Sequence, residues 1–244
     1  MSRIDRAFDR LRQENKKAVV FYVTAGDPDL RATKEVILRL AAEGITLCEI
    51  GIPFSDPVAD GPTIQLAADR ALKNGTTVEQ IWAMTEEIRA CLPDFPLVYL
   101  TYFNPVMSRG VEHFLKQSQK AGVDGLIIPD LSWEESQEYT SFFAAAGLQH
   151  IQLLAPTTSE ERMRKIVSNA EGFLYCVSLT GVTGARENLP TDFSSFISKI
   201  KKYTQIPALI GFGISTPEQA REVVSSADGV IIGSKAVDLF WKSR

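Results

Sequence analysis

Two carboxylates eleven residues apart, Glu49 and Asp60, are the side chains of this sequence best placed to do chemistry. Glu49 closes a short apolar run, 46–50, that reads as a strand. Asp60 lies near the end of the stretch Ile52-Pro53-Phe54-Ser55-Asp56-Pro57-Val58-Ala59-Asp60-Gly61-Pro62, and a helical segment follows. A loop rich in proline and glycine has a restricted backbone and can hold a side chain in one place. A carboxylate at a strand end and a second on a stiff loop suit acid–base work on a substrate lying above a sheet. Desolvation near the mouth of an apolar barrel would raise the pKa of Glu49, which suits a group that both gives and takes a proton. Taken singly, each residue has a plainer reading. Glu49 could be a satisfied strand-end carboxylate, and Asp60 a turn residue before Gly61, a common pairing. Asp56 and Asp130 read first as structural loop residues.

Other chemistries are poorly supplied. The 244 residues contain two histidines, His113 and His150, neither at metal-binding spacing. The three cysteines, Cys48, Cys91 and Cys176, are odd in number and form no CxxC pair, so free thiols are expected rather than a disulfide or metal framework. No metal site and no Ser/His/Asp triad is expected. Lys+Arg 26 against Asp+Glu 30 leaves a net charge of −4, which carries no nucleic-acid footprint. Apolar runs stop at strand length, short of a membrane span. The start, Met1-Ser2-Arg3-Ile4-Asp5-Arg6, has mixed charge and no apolar signal core, so a cytoplasmic location is expected.

The elements that must position the carboxylates follow a repeated pattern. Apolar strand-like runs fall at 19–24, 46–50, 96–101, 125–129, 150–155, 173–177, 208–211 and 229–233. Continuous apolar character is expected of parallel strands covered on both faces. Helical periodicity marks 2–14, 30–43, 64–73, 77–91, 110–121, 133–146, 159–169, 192–203, 217–227 and 235–242. Gly44 ends the second of these, and Ser132, Thr158 and Thr216 look like N-caps. Eight β-α units with no linker predict one (β/α)₈ TIM barrel over 1–244, with an extra N-terminal helix and an extra helix after strand 2. A doubly wound open sheet is the alternative.

In such a barrel, function collects where the strands end. Tyr22, Leu100, Tyr102, Leu153, Tyr175 and Phe212 fall at or near strand ends. They are either barrel core or the walls of a pocket for a flat aromatic substrate. Gly211-Phe212-Gly213 and Gly233-Ser234 follow the seventh and eighth strands, the usual phosphate seat of this architecture. Glycines admit close approach, and a helix opening at Ser234 aims free N–H groups outward.

The stretch Glu49-Ile50-Gly51-Ile52-Pro53-Phe54-Ser55-Asp56-Pro57-Val58-Ala59-Asp60-Gly61-Pro62-Thr63-Ile64-Gln65 resembles the signature of the tryptophan synthase alpha subunit family. Thr24-Ala25-Gly26-Asp27-Pro28, Tyr102-Phe103-Asn104-Pro105, Pro129-Asp130-Leu131, Gly181-Val182-Thr183-Gly184 and Gly211-Phe212-Gly213-Ile214-Ser215 resemble further family segments in order. The resemblance implies a lyase that splits indole-3-glycerol phosphate into indole and glyceraldehyde 3-phosphate. It implies Glu49 as general acid–base, Asp60 holding the indole N–H, and a loop around Thr183 closing onto Asp60. Backbone at Gly184, Gly213, Gly233 and Ser234 would hold the phosphate. It also implies a beta subunit partner that carries pyridoxal phosphate and receives the indole through a tunnel, in an alpha2-beta2 heterotetramer. This chain itself would carry no cofactor. The partner would face the loop from Pro53 to Asp60, the Asn104 region and the segment after Asp130. A weakly active or non-catalytic activating subunit, and another phosphate-binding barrel enzyme such as an isomerase, are the alternative functions. Tyr22, where phenylalanine is usual, Leu179, Arg186 and Ser132-Trp133 depart from the family pattern.

Overall fold

The computed structural model describes residues 1–177, 193–211 and 213–242. Its strands are β1 (Ala18–Thr24), β2 (Leu47–Gly51), β3 (Leu97–Leu100), β4 (Gly125–Ile127), β5 (Gln149–His150), β6 (Gln152–Leu154), β7 (Leu174–Val177), β8 (Ala208–Gly211) and β9 (Gly229–Ile232). Every strand pairing among the described residues is parallel, in the order β5-β4-β3-β2-β1-β9-β8-β7-β6. The two ends of that order, β5 and β6, are consecutive in the chain and separated only by Ile151. The Ile151 N–H donates to the Leu126 carbonyl at 2.9 Å. The sheet therefore closes on itself, and the expected fifth strand is one strand interrupted at Ile151, not an edge. Closure excludes the open-sheet alternative.

Alternation along the strands sorts residues into two sets. Val20, Leu47, Val98, Ile127, Ile151, Phe173, Tyr175, Leu209 and Ile231 form one buried cluster, the barrel interior. Their chain neighbours, among them Cys48, Ile50, Tyr99, Leu126, Cys176 and Ile210, pack outward against the helices in two further clusters. Burial on both faces is why these strands read as continuous apolar runs.

The helices are α1 (Arg3–Gln13), α2 (Leu30–Ala42), α3 (Pro62–Lys73), α4 (Val78–Cys91), α5 (Phe103–Met107), α6 (Val111–Ala121), α7 (Trp133–Ser136), α8 (Thr140–Ala146), α9 (Glu160–Ser168), α10 (Phe193–Lys201), α11 (Pro217–Val224) and α12 (Ser234–Lys242). Helix α1 precedes the first strand and plugs the amino-terminal end of the barrel. Its Ile4 and Phe8 join the interior cluster, with Phe8 and Phe173 ring centroids 5.8 Å apart. Helices α3 and α4 both lie between β2 and β3.

Three expectations are corrected. The helix predicted over 133–146 is broken by a 3₁₀ turn at Gln137–Tyr139. Side chains compete for the backbone there: Ser136 Oγ and Gln137 Nε2 both donate to the Trp133 carbonyl, at 2.7 and 3.0 Å. Helix α9 is capped by Ser159, whose hydroxyl accepts from Arg162 N, while Thr158 Oγ1 accepts from Ala155 N instead. Helix α5 has no counterpart in the prediction. Pro105 sits in its first turn, where a missing N–H costs nothing.

Candidate active site at the barrel mouth

Glu49 lies in β2 two residues after the inward-facing Leu47, so alternation turns it into the barrel beside Tyr22 of β1 and Val98 of β3, its register partners. It is 0% exposed, and neither carboxylate oxygen has a hydrogen-bond partner among the described residues. A buried carboxylate without donors resists ionisation, and desolvation alone pushes its pKa up to about 8.

Asp60 reaches the same mouth from the loop. Its backbone is fixed on both sides: the Asp60 N–H donates to Pro57 O at 3.0 Å, and Gln65 Nε2 donates to Asp60 O at 2.8 Å. Helix α3 starts immediately afterwards, with Gly61 extended at the N-cap and Pro62 in the first turn. The carboxylate accepts the Tyr102 hydroxyl at 2.9 Å, and the same hydroxyl oxygen accepts the Ala59 N–H at 3.0 Å. The Tyr102 ring also lies against Phe54, centroids 5.5 Å apart. Burial raises the Asp60 pKa to about 6, and the Tyr102 bond opposes that rise. The chain thus places two desolvated carboxylates in one mouth, and among the described residues only Asp60 has a donor.

The expected wall assembles in part. Tyr22, Tyr102 and Tyr175 are buried, and Leu100 and Leu153 are half-buried against the interior cluster. Tyr22 packs on Ile64, Ala67, Val237 and Leu100, and Thr24 Oγ1 donates to its hydroxyl at 3.3 Å. Burial raises the pKa of Tyr22 and Tyr175, and the charges of Glu49 and Asp60 act on both phenols. Two strand-end glycines make the room. A Cβ on Gly51 would lie 2.0 Å from the Tyr22 hydroxyl, and one on Gly211 would lie 2.5 Å from that of Tyr175. Phe212, Thr183, Gly184, Leu179 and Arg186 lie outside the described residues.

Strands β8 and β9 pair through Gly211 and Ile231, so Gly213 and Gly233 follow neighbouring strand ends. Gly213 has φ +77°, which only glycine adopts readily. In α12 the first ladder bonds run from Ala236 and Val237 N–H to Gly233 O, so the Ser234 and Lys235 N–H groups precede the ladder. Ser215 N–H, by contrast, already donates to Gln219 Oε1 at 2.8 Å. Asp56 is exposed, and Asp130 accepts the Phe103 N–H at 2.8 Å. Sequence reasoning missed Gln65, Gly51 and the bond from Tyr102 to Asp60. Only Gly51 carried a local signal, a glycine ending a buried strand.

A closed parallel sheet inside a layer of helices, with two buried carboxylates, Glu49 and Asp60, near the carboxyl ends of the strands, defines a TIM barrel. Within that class the chain belongs to the tryptophan synthase alpha chain family, whose model matches residues 8–243. It is 47% identical over 242 residues to the tryptophan synthase alpha chain of Thermoanaerobacter sp. (strain X514), covering 99% of this chain and 92% of that one. It is also 47% identical over 240 residues to the alpha chain of Geobacter sulfurreducens, covering 98% and 90%. Among solved structures, tryptophan synthase subunit alpha from Legionella pneumophila aligns with TM-score 0.90 at 37% identity, over 98% and 88% of the two chains. A chain of Mycobacterium tuberculosis tryptophan synthase aligns with TM-score 0.92 at 35% identity, over 99% and 92%.

Proposed function

We infer that this chain is the alpha subunit of a tryptophan synthase and cleaves indole-3-glycerol phosphate to indole and glyceraldehyde 3-phosphate. The observation that carries the reading is the contrast in the mouth: Glu49 is buried and has no hydrogen-bond partner among the described residues, whereas Asp60 is buried but held by Tyr102.

Glu49, protonated near neutral pH because burial holds it near 8, gives its proton to indole C3. Positive charge develops on the ring nitrogen, where ionised Asp60 accepts the N–H and stabilises it. Glu49, now a carboxylate, accepts the proton of the side-chain hydroxyl on the carbon bonded to C3. That carbon becomes the aldehyde as the carbon–carbon bond breaks. The released electron pair re-forms the C2–C3 double bond and neutralises the nitrogen. The net change is one proton moved from hydroxyl to C3, so Glu49 ends as it began.

The phosphate would sit on the N–H groups opening α12 and on backbone near Gly213, Gly233 and Gly184. Thr183 would close over Asp60. Tyr22, Leu100, Tyr102, Leu153, Tyr175 and Phe212 would enclose the ring. The reaction uses no cofactor in this chain; pyridoxal phosphate belongs to a beta subunit that takes up the indole, in an alpha2-beta2 assembly. Supporting a partner on this side, Val58, Leu66 and Met107 are large exposed apolar residues on or beside the Pro53–Asp60 loop and α5. The test is indole release from indole-3-glycerol phosphate, alone and with a beta subunit added. Glu49→Gln and Asp60→Asn should each abolish release while leaving the fold intact. Near-normal turnover in either variant would sink its assigned role.

A further inference from the structure

The two ends of the proposed substrate are held by different helices. Asp60, for the indole nitrogen, sits at the entrance to α3. Ser234, for the phosphate, opens α12. Near the mouth these helices meet through apolar groups: Ile64 and Ala67 of α3 pack with Val237 of α12, and Ile64 Cδ1 lies 3.8 Å from where a Cβ on Gly233 would be. Apolar contact of this kind is non-directional. A contact this small constrains the angle between the helices weakly.

A second, directional link lies farther down. Arg70, about 12 Å along α3 from Pro62, donates through Nε and Nη2 to both oxygens of Asp27, at 2.9 and 2.7 Å. The other side of its guanidinium faces Trp241 of α12, 3.9 Å from the ring centroid. Asp27 stands on the loop after β1, and its side chain is only 4% exposed. Exposed ion pairs hold little in place. This pair is a planar two-bond fork on a buried carboxylate, capped by an aromatic ring, an arrangement lysine does not reproduce. Asn74 Nδ2 donates to Pro28 O at 2.6 Å, so α3 has a second anchor on the β1 loop that is independent of Arg70. What Arg70 adds is the link to α12.

We propose that Arg70 is a positioning residue that fixes α3 against α12 and thereby sets the span between the indole grip at Asp60 and the phosphate seat at Ser234. Small errors of placement far from the reacting atoms are costly when a ligand must meet both ends at once. A ligand that meets one end is indifferent to them. This inference rests on the lyase reading above.

The experiment compares two ligands by calorimetry on the full chain. One is indole-3-propanol phosphate, an uncleavable ester with both ends; the other is glycerol 3-phosphate, which has only the phosphate end. Arg70→Lys is expected to weaken the two-ended ligand about tenfold and glycerol 3-phosphate less than about twofold. Trp241→Leu should give the same selective loss, and it serves as the test if Arg70→Lys does not fold. Asn74→Ala should leave the ratio of the two affinities unchanged. Equal losses on both ligands, no loss, or the same selective loss in Asn74→Ala would overturn the proposal. If the wild-type chain binds the two-ended ligand no better than glycerol 3-phosphate, the lyase reading itself fails, a separate result.

Discussion

Removing a single oxygen, Tyr102→Phe, should move the acid limb of the pH–rate profile. Asp60 feels two opposed influences: burial raises its pKa, and the Tyr102 hydroxyl at 2.9 Å lowers it, leaving it at about 6. A hydrogen bond to a charged group contributes about 1.5–3 kcal/mol. One pKa unit corresponds to about 1.4 kcal/mol, so losing the bond raises Asp60 by roughly one to two units. Water entering the space offsets part of this, which favours the lower figure. With a rise of about one unit, ionised Asp60 falls from about half to about a tenth at pH 6, but only from about nine-tenths to about half at pH 7. Because kcat/KM reports the free enzyme, the profile of indole release should lose about fivefold at pH 6 and markedly less at pH 8. Phenylalanine keeps the ring contact with Phe54 but gives up the bond from Ala59 N–H, which adds a pH-independent loss. A profile lowered evenly at every pH would refute the electrostatic role and leave Tyr102 as a loop anchor alone.

Other consequences can be measured directly. Glu49 has a folded-state pKa raised from 4.5 to about 8, so it favours folding while protonated. That contribution is complete below about pH 4.5 and is lost as pH rises through about 8, on the order of 5 kcal/mol in all. Glu49→Gln should therefore stabilise the protein above pH 8 and flatten the fall in stability between pH 4.5 and 8. Urea melts at pH 5 and pH 9 decide it, and a variant with the wild-type pH slope would contradict the buried-acid argument. Gly51→Ala puts a Cβ 2.0 Å from the Tyr22 hydroxyl and 2.4 and 2.5 Å from two of its ring carbons. It should destabilise by roughly 1–3 kcal/mol. Adding Tyr22→Phe should not rescue it, since the ring carbons remain, whereas Tyr22→Leu should; recovery with phenylalanine would show the overlap to be softer than the geometry requires. Ser234→Asp sets a negative charge where the phosphate is proposed to sit, and unchanged affinity for glycerol 3-phosphate would move the seat elsewhere.

What was legible in the sequence follows from how local each cause is. The strands were readable because residues such as Val19 and Val20 are covered from opposite sides, which makes the run continuously apolar. Caps at Ser132 and Thr216 were readable because a hydroxyl bonds three residues on. The break after Ser136 was not, because it depends on which side chain wins the Trp133 carbonyl. The inward turn of Glu49 could be inferred from alternation with Leu47. The bond from Tyr102 to Asp60 spans 42 residues, and the fork from Arg70 to Asp27 spans 43, so no local pattern announces either. Tyr102 accordingly read as part of an apolar wall, though its hydroxyl is the polar partner of Asp60.

That hydroxyl also explains how two similar side chains could take opposite parts. Glu49 and Asp60 are both desolvated, and desolvation pushes both of them up toward neutral pH. A proton donor to carbon and an acceptor for an N–H cannot both be neutral acids. Tyr102 widens the gap by donating to Asp60 and to no oxygen of Glu49, adding to the deeper burial of Glu49, and the two groups stand at about 6 and about 8. Between those values one carboxyl is ionised while the other keeps its proton, the pair of states that the proposed cleavage needs at its start. The window is about two pH units wide. Tyr102→Phe narrows it from the acid side, so the optimum of indole release should become sharper and more alkaline, and an optimum of unchanged width would show that the separation has another source.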